Sequence, residues 1–262
     1  MNKKYISHMT WLEVKEAVSK KPTVLIPIGT VETQNLHNPT GYDYLVAQRL
    51  AEEVAEKSNS IITPVLPFGY SDAFIGFPGT ITLRANVLEL ILEDIIVSLI
   101  KTGFDHFLFI NNHAPNKPIL DVALSKIRDE YGIIATSVWP TALARNFAKE
   151  LFDNAKEVLV HGNEPSTSLL AYLYPNFIRE DLSKENHMNK NFQNFNLLSL
   201  MDLEHQGQAV SINLRLKDID QQGGWGNPKG DRKKGEIMFL KMVDFIVSFI
   251  EKYNNFKTNI RK

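Results

Sequence analysis

His106-Phe107-Leu108-Phe109-Ile110-Asn111-Asn112-His113 is the stretch on which the reading of this chain turns. Residues 106–110 read as the apolar core of a buried strand, and Asn111-Asn112-His113 follows at its carboxyl end. Downstream, the spacing predicts a helix over Lys117–Glu130 and a strand over Ile133–Val138. Upstream, Asn86 is the expected N-cap of a helix over Val87–Ile100, whose apolar stripe is Leu88, Ile91, Leu92, Ile95 and Leu99 and whose stop is Gly103.

The same unit recurs further out. Thr23–Ile28 is a short apolar strand ending at Gly29, and Leu45, Val46, Leu50 and Val54 give Tyr44–Glu56 a helical period. Ile61–Leu66 is a β-branched run closed by Pro67 and Gly69, and Asp231 to Tyr253 reads as a long amphipathic helix. Alternating strands and helices imply an α/β fold with a mainly parallel sheet covered on both faces. Ligands gather at the carboxyl ends of such strands, which directs attention to the loops after Ile28 and Ile110.

Composition narrows the function classes. A net charge of −1 offers no electrostatic case for nucleic acid or an anionic membrane surface. With no cysteine, thiolate zinc sites, disulfide frameworks and cysteine nucleophiles are excluded. The first nine residues carry no apolar signal region and no apolar run is long enough to span a bilayer, so cytoplasm is the expected compartment. No repeat, low-complexity segment or linker interrupts the chain, so residues 1–262 are expected to form one domain. The mildly basic tail Asn255–Lys262 is expected to be frayed and solvated.

The loop after the first strand runs Gly29-Thr30-Val31-Glu32-Thr33-Gln34-Asn35-Leu36-His37-Asn38-Pro39-Thr40-Gly41-Tyr42-Asp43. It holds Glu32, His37 and Asp43, and the second loop holds His113. Two carboxylates and an imidazole suit Zn²⁺, Mn²⁺ or Fe²⁺ with a position left for water, whose pKa such an ion draws toward about 7. On residue type alone a second reading stays open, in which these are solvated or capping groups and His113 bonds a neighbouring strand end.

Order and spacing add a resemblance. Glu32-Thr33-Gln34-Asn35-Leu36-His37-Asn38-Pro39 with Asp43, then Phe77-Pro78-Gly79-Thr80, then Asn111-Asn112-His113-Ala114-Pro115-Asn116, resemble three successive motifs of the creatininase (creatinine amidohydrolase) family. His161-Gly162-Asn163-Glu164-Pro165-Ser166-Thr167-Ser168 and Gly223-Gly224-Trp225-Gly226-Asn227-Pro228 with Lys234-Gly235-Glu236 resemble two more, so the likeness covers most of the chain. It implies a three-layer α/β/α fold, a two-metal site and oligomeric assembly, with a hexamer as one form. Members hydrolyse the cyclic amide of creatinine, formamides or a peptide bond, and a relative opens a keto-inositol ring. What is common is water attacking a carbonyl beside a metal.

Glu32, Asp43 and His113 match the ligands of the first metal in that family. The second set does not carry over: its histidine is Gln34, its Glu-Thr-Ser glutamate is Ser166, the glutamate after the central histidine is Pro115, and a histidine before Phe-Pro-Gly-Thr is Phe74. Gln34 offers only a neutral carbonyl oxygen, so one divalent ion (Zn, Mn or Fe) is expected rather than two. A rebuilt pair using Asp43 with Glu164 or His161 is the alternative. His37, His161 and Glu164 are the candidate proton shuttles, each with a structural role as its rival. Thr80, Asn112 and Trp225 are candidates to contact substrate, and Trp139 is a further candidate wall. Gly223, Gly224 and Gly226 are expected to shape a tight loop, and Phe77–Thr80 a turn beside the metal loop.

The expected function is therefore metal-dependent hydrolysis of a non-peptide carbon–nitrogen bond in a small molecule, an amide or cyclic amide. Two alternatives belong to other classes: a non-catalytic binding relative, and a single-metal lyase or isomerase. Met238, Phe239, Met242, Val243, Phe245, Ile246 and Phe249 put apolar residues on more than one face of the last helix, as a homo-oligomer would use.

Overall fold

The computed structural model describes residues 4–152, 161–187, 189–226 and 228–260. Its central sheet is four parallel strands in the order β2-β1-β3-β4, with β1 Thr23–Ile28, β2 Ser60–Ile62, β3 Phe107–Asn111 and β4 Thr136–Val138. Every residue of β1 and β3 is buried, so both faces need cover. Side chains alternate between the faces. On one face Leu25, Leu108 and Ile110 pack against α2 (Tyr42–Glu56), α5 (Pro140–Leu151), α6 (Ser166–Leu173) and α7 (Arg232–Tyr253). On the other, Val24, Ile26, Phe107 and Phe109 pack against α3 (Ala85–Lys101) and α4 (Asn116–Tyr131). Val14 and Val18 of α1 (Trp11–Ser19) join this second core. These are the three layers that the alternating pattern predicts.

Pro27 lies in a central strand, where a missing N–H is usually costly. Thr23 N donates to Asn59 O on the β2 side and Val24 N to His106 O on the β3 side, so position 27 faces β2. There β2 has already ended at Ile62, and no ladder bond is lost. The same early end corrects the expected strand Ile61–Leu66: only a bridge between Ile28 and Leu66 continues it. Ile133–Val138 is likewise shorter than expected, with Ile133 bridging Asn259 instead.

Two helix starts differ from expectation. Asn86 lies inside α3, whose N-cap is Arg84, while Asp231 caps α7 by accepting from Lys233 N and Lys234 N. The tail is not frayed through residue 260. Thr258 O accepts from Ile134 N, Ile260 N donates to Gly132 O, and Thr258 is buried. Arg261 and Lys262 lie outside the described residues. An antiparallel sheet, β5 (Asn191–Phe192), β6 (Phe195–Ser199), β7 (Asp202–His205) and β8 (Gln208–Ser211), was not anticipated. Its strands are short and mostly exposed, so the sequence carries little hydrophobic alternation there. No helix among the described residues is long and apolar enough to cross a membrane.

Candidate metal centre

The sheet carries three acceptors to one point. Glu32 follows β1, Asp43 sits in the first turn of α2, and His113 follows β3, whose neighbour in the sheet is β1. Glu32, Asp43 and His113 are all buried, and one potential ligand atom from each lies within 4.8 Å of the others. The Phe77–Thr80 segment forms a turn closed by Thr80 N donating to Phe77 O, with Gly79 at φ 88°. Ile81 N then donates to Val31 O, which pins the loop carrying Glu32.

Neighbours orient each acceptor. His113 Nε2 lies 2.9 Å from Tyr70 O, which can only accept, so Nε2 carries a hydrogen and Nδ1 is the ring nitrogen that would face an ion. Asp43 Oδ2 is 3.2 Å from that Nδ1, and Glu32 Oε2 is 3.4 Å from Nε2. Ser71 Oγ donates to Glu32 Oε2 at 2.8 Å and is itself 2.6 Å from Thr30 Oγ1. A backbone carbonyl holding the far nitrogen of a histidine is the usual support for a metal-binding imidazole.

The electrostatics point the same way. Burial raises the pKa of both Glu32 and Asp43, and the positive form of His113 only partly offsets it. Burial also opposes charge on His113, but the two carboxylates outweigh it and push that pKa up. Two carboxylates and an imidazole so buried hold on to protons, and a divalent cation at the same point would take the place of those protons. The donor set fits such an ion.

A small cleft, about 110 Å³, opens onto these residues. All four positions that depart from the second-metal pattern line it: Gln34, Phe74, Pro115 and Ser166. Gln34 Nε2 points at Glu32 Oε1, 3.4 Å away, and Phe74 stacks on His161 with ring centroids 4.5 Å apart. His161 lines the cleft and its Nε2 donates to Thr33 O at 2.9 Å, leaving Nδ1 as the acceptor. Burial pushes the His161 pKa down to about 4, so the ring is neutral at pH 7. Asn112 lines the cleft too, its Oδ1 accepting from Thr141 Oγ1.

The other sequence candidates lie elsewhere. His37 is buried behind the cleft with Nε2 3.2 Å from Thr167 Oγ1. Glu164 is buried at the seam of α6 and α7, where Oε1 accepts from Ser168 Oγ at 2.7 Å and burial lifts its pKa to about 7. Neither is among the lining residues, nor are Thr80 and Trp225. Trp225 packs beside His161, its backbone N–H donating to His161 O. Trp139 does line the cleft, as do Tyr42, Thr141 and Arg145, three residues that sequence reading did not single out. The one signal for them was position: residues 139–145 follow the carboxyl end of β4, and Tyr42 precedes Asp43.

Burial also lowers the His37 pKa to about 4, against about 6.5 unfolded. The unfolded chain then binds the extra proton between those values. This contribution to stability is complete above pH 6.5 and is lost as pH falls toward 4. The raised carboxyl pKa values of Glu32, Asp43 and Glu164 act with the opposite sign, so the His37 contribution is read as a difference between variants. In urea unfolding between about pH 6.5 and 4, the gain of stability with rising pH is expected to be smaller in His37→Gln than in wild type by up to about 1.4 kcal/mol per pH unit.

The chain's similarities agree with this site. The family model described as "Creatininase: Creatinine amidohydrolase" matches residues 7–250. The 3-dehydro-scyllo-inosose hydrolase of Thermotoga maritima is 28% identical over 181 residues, which are 68% of this chain and 58% of that protein. The creatinine amidohydrolase of Pseudomonas putida is 26% identical over 193 residues, 68% of this chain and 74% of that one. The first of these relatives is therefore matched over little more than half its length. Among solved structures, creatininase Mn superposes with a TM-score of 0.79 at 22% identity, covering 97% of this chain and all of that one. A creatinine amidohydrolase structure gives 0.80 at 20% identity over 98% of this chain and all of that one. These establish the likeness of fold.

Proposed function

The chain belongs to the creatininase (creatinine amidohydrolase) family, and from that membership we propose that it is a metal-dependent hydrolase of a non-peptide carbon–nitrogen bond, an amide or cyclic amide. The observation that carries the reading is the buried convergence of Glu32, Asp43 and His113 at the floor of a cleft. A divalent ion held there would polarise a substrate carbonyl and acidify a water.

The chain's own residues do the rest. Ser71 and Tyr70 hold Glu32 and His113 in place, so little reorganisation is left for the reaction. His161 lines the cleft with Nδ1 left as an acceptor, and the neutral ring can take a proton and return it to a leaving nitrogen. Asn112 Nδ2 is buried without a partner and can donate to a substrate oxygen. His37 and Glu164 support these loops from behind rather than shuttle protons.

One ion is favoured over two because Gln34, Ser166, Phe74 and Pro115 surround the cleft without a second set of anionic ligands. The same replacement supports a second reading, a lyase or isomerase using one ion as Lewis acid. Activity of the metal-loaded protein on small amides and lactams, beside Glu32→Gln, separates the two. Turnover lost by at least about a hundredfold in Glu32→Gln supports hydrolysis. A fully loaded protein inert to the whole panel would reject it.

We further propose a single-domain homo-oligomer. Ile237, Leu240 and Phe245 remain exposed on α7 although Met238, Phe239, Met242, Val243 and Ile246 fill the core. Sizing at low micromolar concentration is expected to give a multiple of 29.8 kDa; a clean monomer would remove the idea.

A further inference from the structure

Beyond the acceptor triad, the cleft has a second chemical character: four of the residues lining it carry a donor atom with no partner. Tyr42 Oη, Asn112 Nδ2, Trp139 Nε1 and Arg145 Nε are all buried and without a hydrogen-bond partner among the described residues. All four residues line the same cleft. Tyr42 and Asn112 are each only 2% exposed, so solvent does not satisfy them. Ser166, Thr141 and Asn112 come close enough to the Tyr42 hydroxyl oxygen to act on it as donors and ease its pKa, but none makes a well-formed hydrogen bond with it or takes up its hydrogen. An unpaired buried donor costs about 1–3 kcal/mol, so four around one small space call for a common acceptor.

Arg145 sets the charge of that acceptor. It lies on α5, and no carboxylate among the described residues pairs with it. Its guanidinium sits 5.9 Å from the Trp139 ring, which orients it but accepts none of its hydrogens. Burial lowers its pKa, and its field reaches both the Tyr42 hydroxyl and His161. With a divalent ion compensating Glu32 and Asp43, Arg145 leaves the cleft one positive charge in excess. A monoanion restores neutrality.

We propose that this cleft binds a carboxylate, held by Arg145, Trp139, Asn112 and Tyr42, and that the substrate is a small amide or lactam carrying one. A guanidinium fork and adjacent N–H and O–H groups match the geometry of a carboxylate. The carboxylate end fixes the substrate while its carbonyl lies toward Glu32, Asp43 and His113. The choice of bond rests on the amidohydrolase reading, but the anion site does not.

The test uses probes that cannot be hydrolysed, on metal-loaded protein. Tetrahydro-2-furoate carries the carboxylate on a five-membered ring; tetrahydrofurfuryl alcohol is its neutral counterpart. Calorimetric titration is expected to show the carboxylate binding at least about tenfold tighter, equivalent to about 1.4 kcal/mol. Arg145→Gln is expected to abolish that preference and Arg145→Lys to keep part of it. Trp139→Phe, which removes one donor and keeps the ring, is expected to weaken the carboxylate alone. Circular dichroism and thermal unfolding confirm that each variant is folded.

Equal binding of the two probes, no binding of the carboxylate, or a preference that survives Arg145→Gln would overturn the proposal. Survival in Arg145→Gln would place the carboxylate on the metal instead. Failure of the amidohydrolase reading looks different: Arg145-dependent binding of the furoate would persist while no amide, charged or neutral, is turned over.

Discussion

Glu32→Ala and His113→Ala are each expected to lower divalent-metal affinity by more than about a hundredfold. Losing an outer support of a metal site already costs about 10–100-fold, and these two residues offer the donor atoms themselves. Wild-type protein purified without chelator or a metal-binding tag is expected to carry close to one equivalent of zinc, manganese or iron by elemental analysis. Ser71→Ala provides the graded comparison. It removes only the hydroxyl that donates to Glu32 Oε2, so affinity should fall within the smaller range. Two equivalents in the wild type would mean that Gln34 or other groups complete a second site, and Gln34→Ala would then follow. No metal after reloading would defeat the hydrolase reading and favour a binding protein on the same fold.

Gly29→Ala is expected to destabilise the protein by about 3 kcal/mol or more and to weaken metal binding with it. Gly29 lies between the end of β1 and the start of α2. An added Cβ would overlap Tyr44 N and come within 2.6 Å of the Asp43 carbonyl carbon, both of them backbone atoms. Backbone cannot rotate aside as a side chain can, so α2 must shift as a unit. Overpacking of this kind costs typically 1–3 kcal/mol and occasionally more. The shift also carries Asp43 away from His113, now 3.2 Å distant. Urea unfolding and metal titration of one variant therefore read fold and site together. A variant with wild-type stability and metal affinity would show that the strand and helix can separate freely, against the packing described.

Much of the frame was legible in the linear chain. β1 appears at the residues expected, and α2, α3, α4 and α7 lie within a few residues of their expected bounds. In each case the deciding forces are local: an apolar period, a glycine stop, a run of β-branched residues. The misplaced boundaries have non-local causes. Ile61–Leu66 has strand composition throughout, but only Ser60–Ile62 finds β1 alongside. Ile133 has the same β character and pairs with Asn259 because the tail returns to it. The tail looked free because its partners, Gly132 and Ile134, are more than a hundred residues away in sequence.

The site divides along the same line. Glu32, Asp43 and His113 were readable because each follows a strand or opens a helix within its own motif, and motif order reflects the parallel sheet. His37 and Glu164 carried the right chemistry in the right motifs, yet their side chains point toward Thr167 and Ser168. Arg145 had no motif to mark it. It enters the cleft because β4 lies beside β3 and α5 then turns back across the sheet. The sequence by itself determined the main strand–helix frame and the acceptor triad, and the family resemblance implied the missing second ligand set. Tertiary structure alone decided which donors face those acceptors. Strand pairing and helix docking bring residues 42, 112, 139 and 145 around one space, and no local period encodes that meeting.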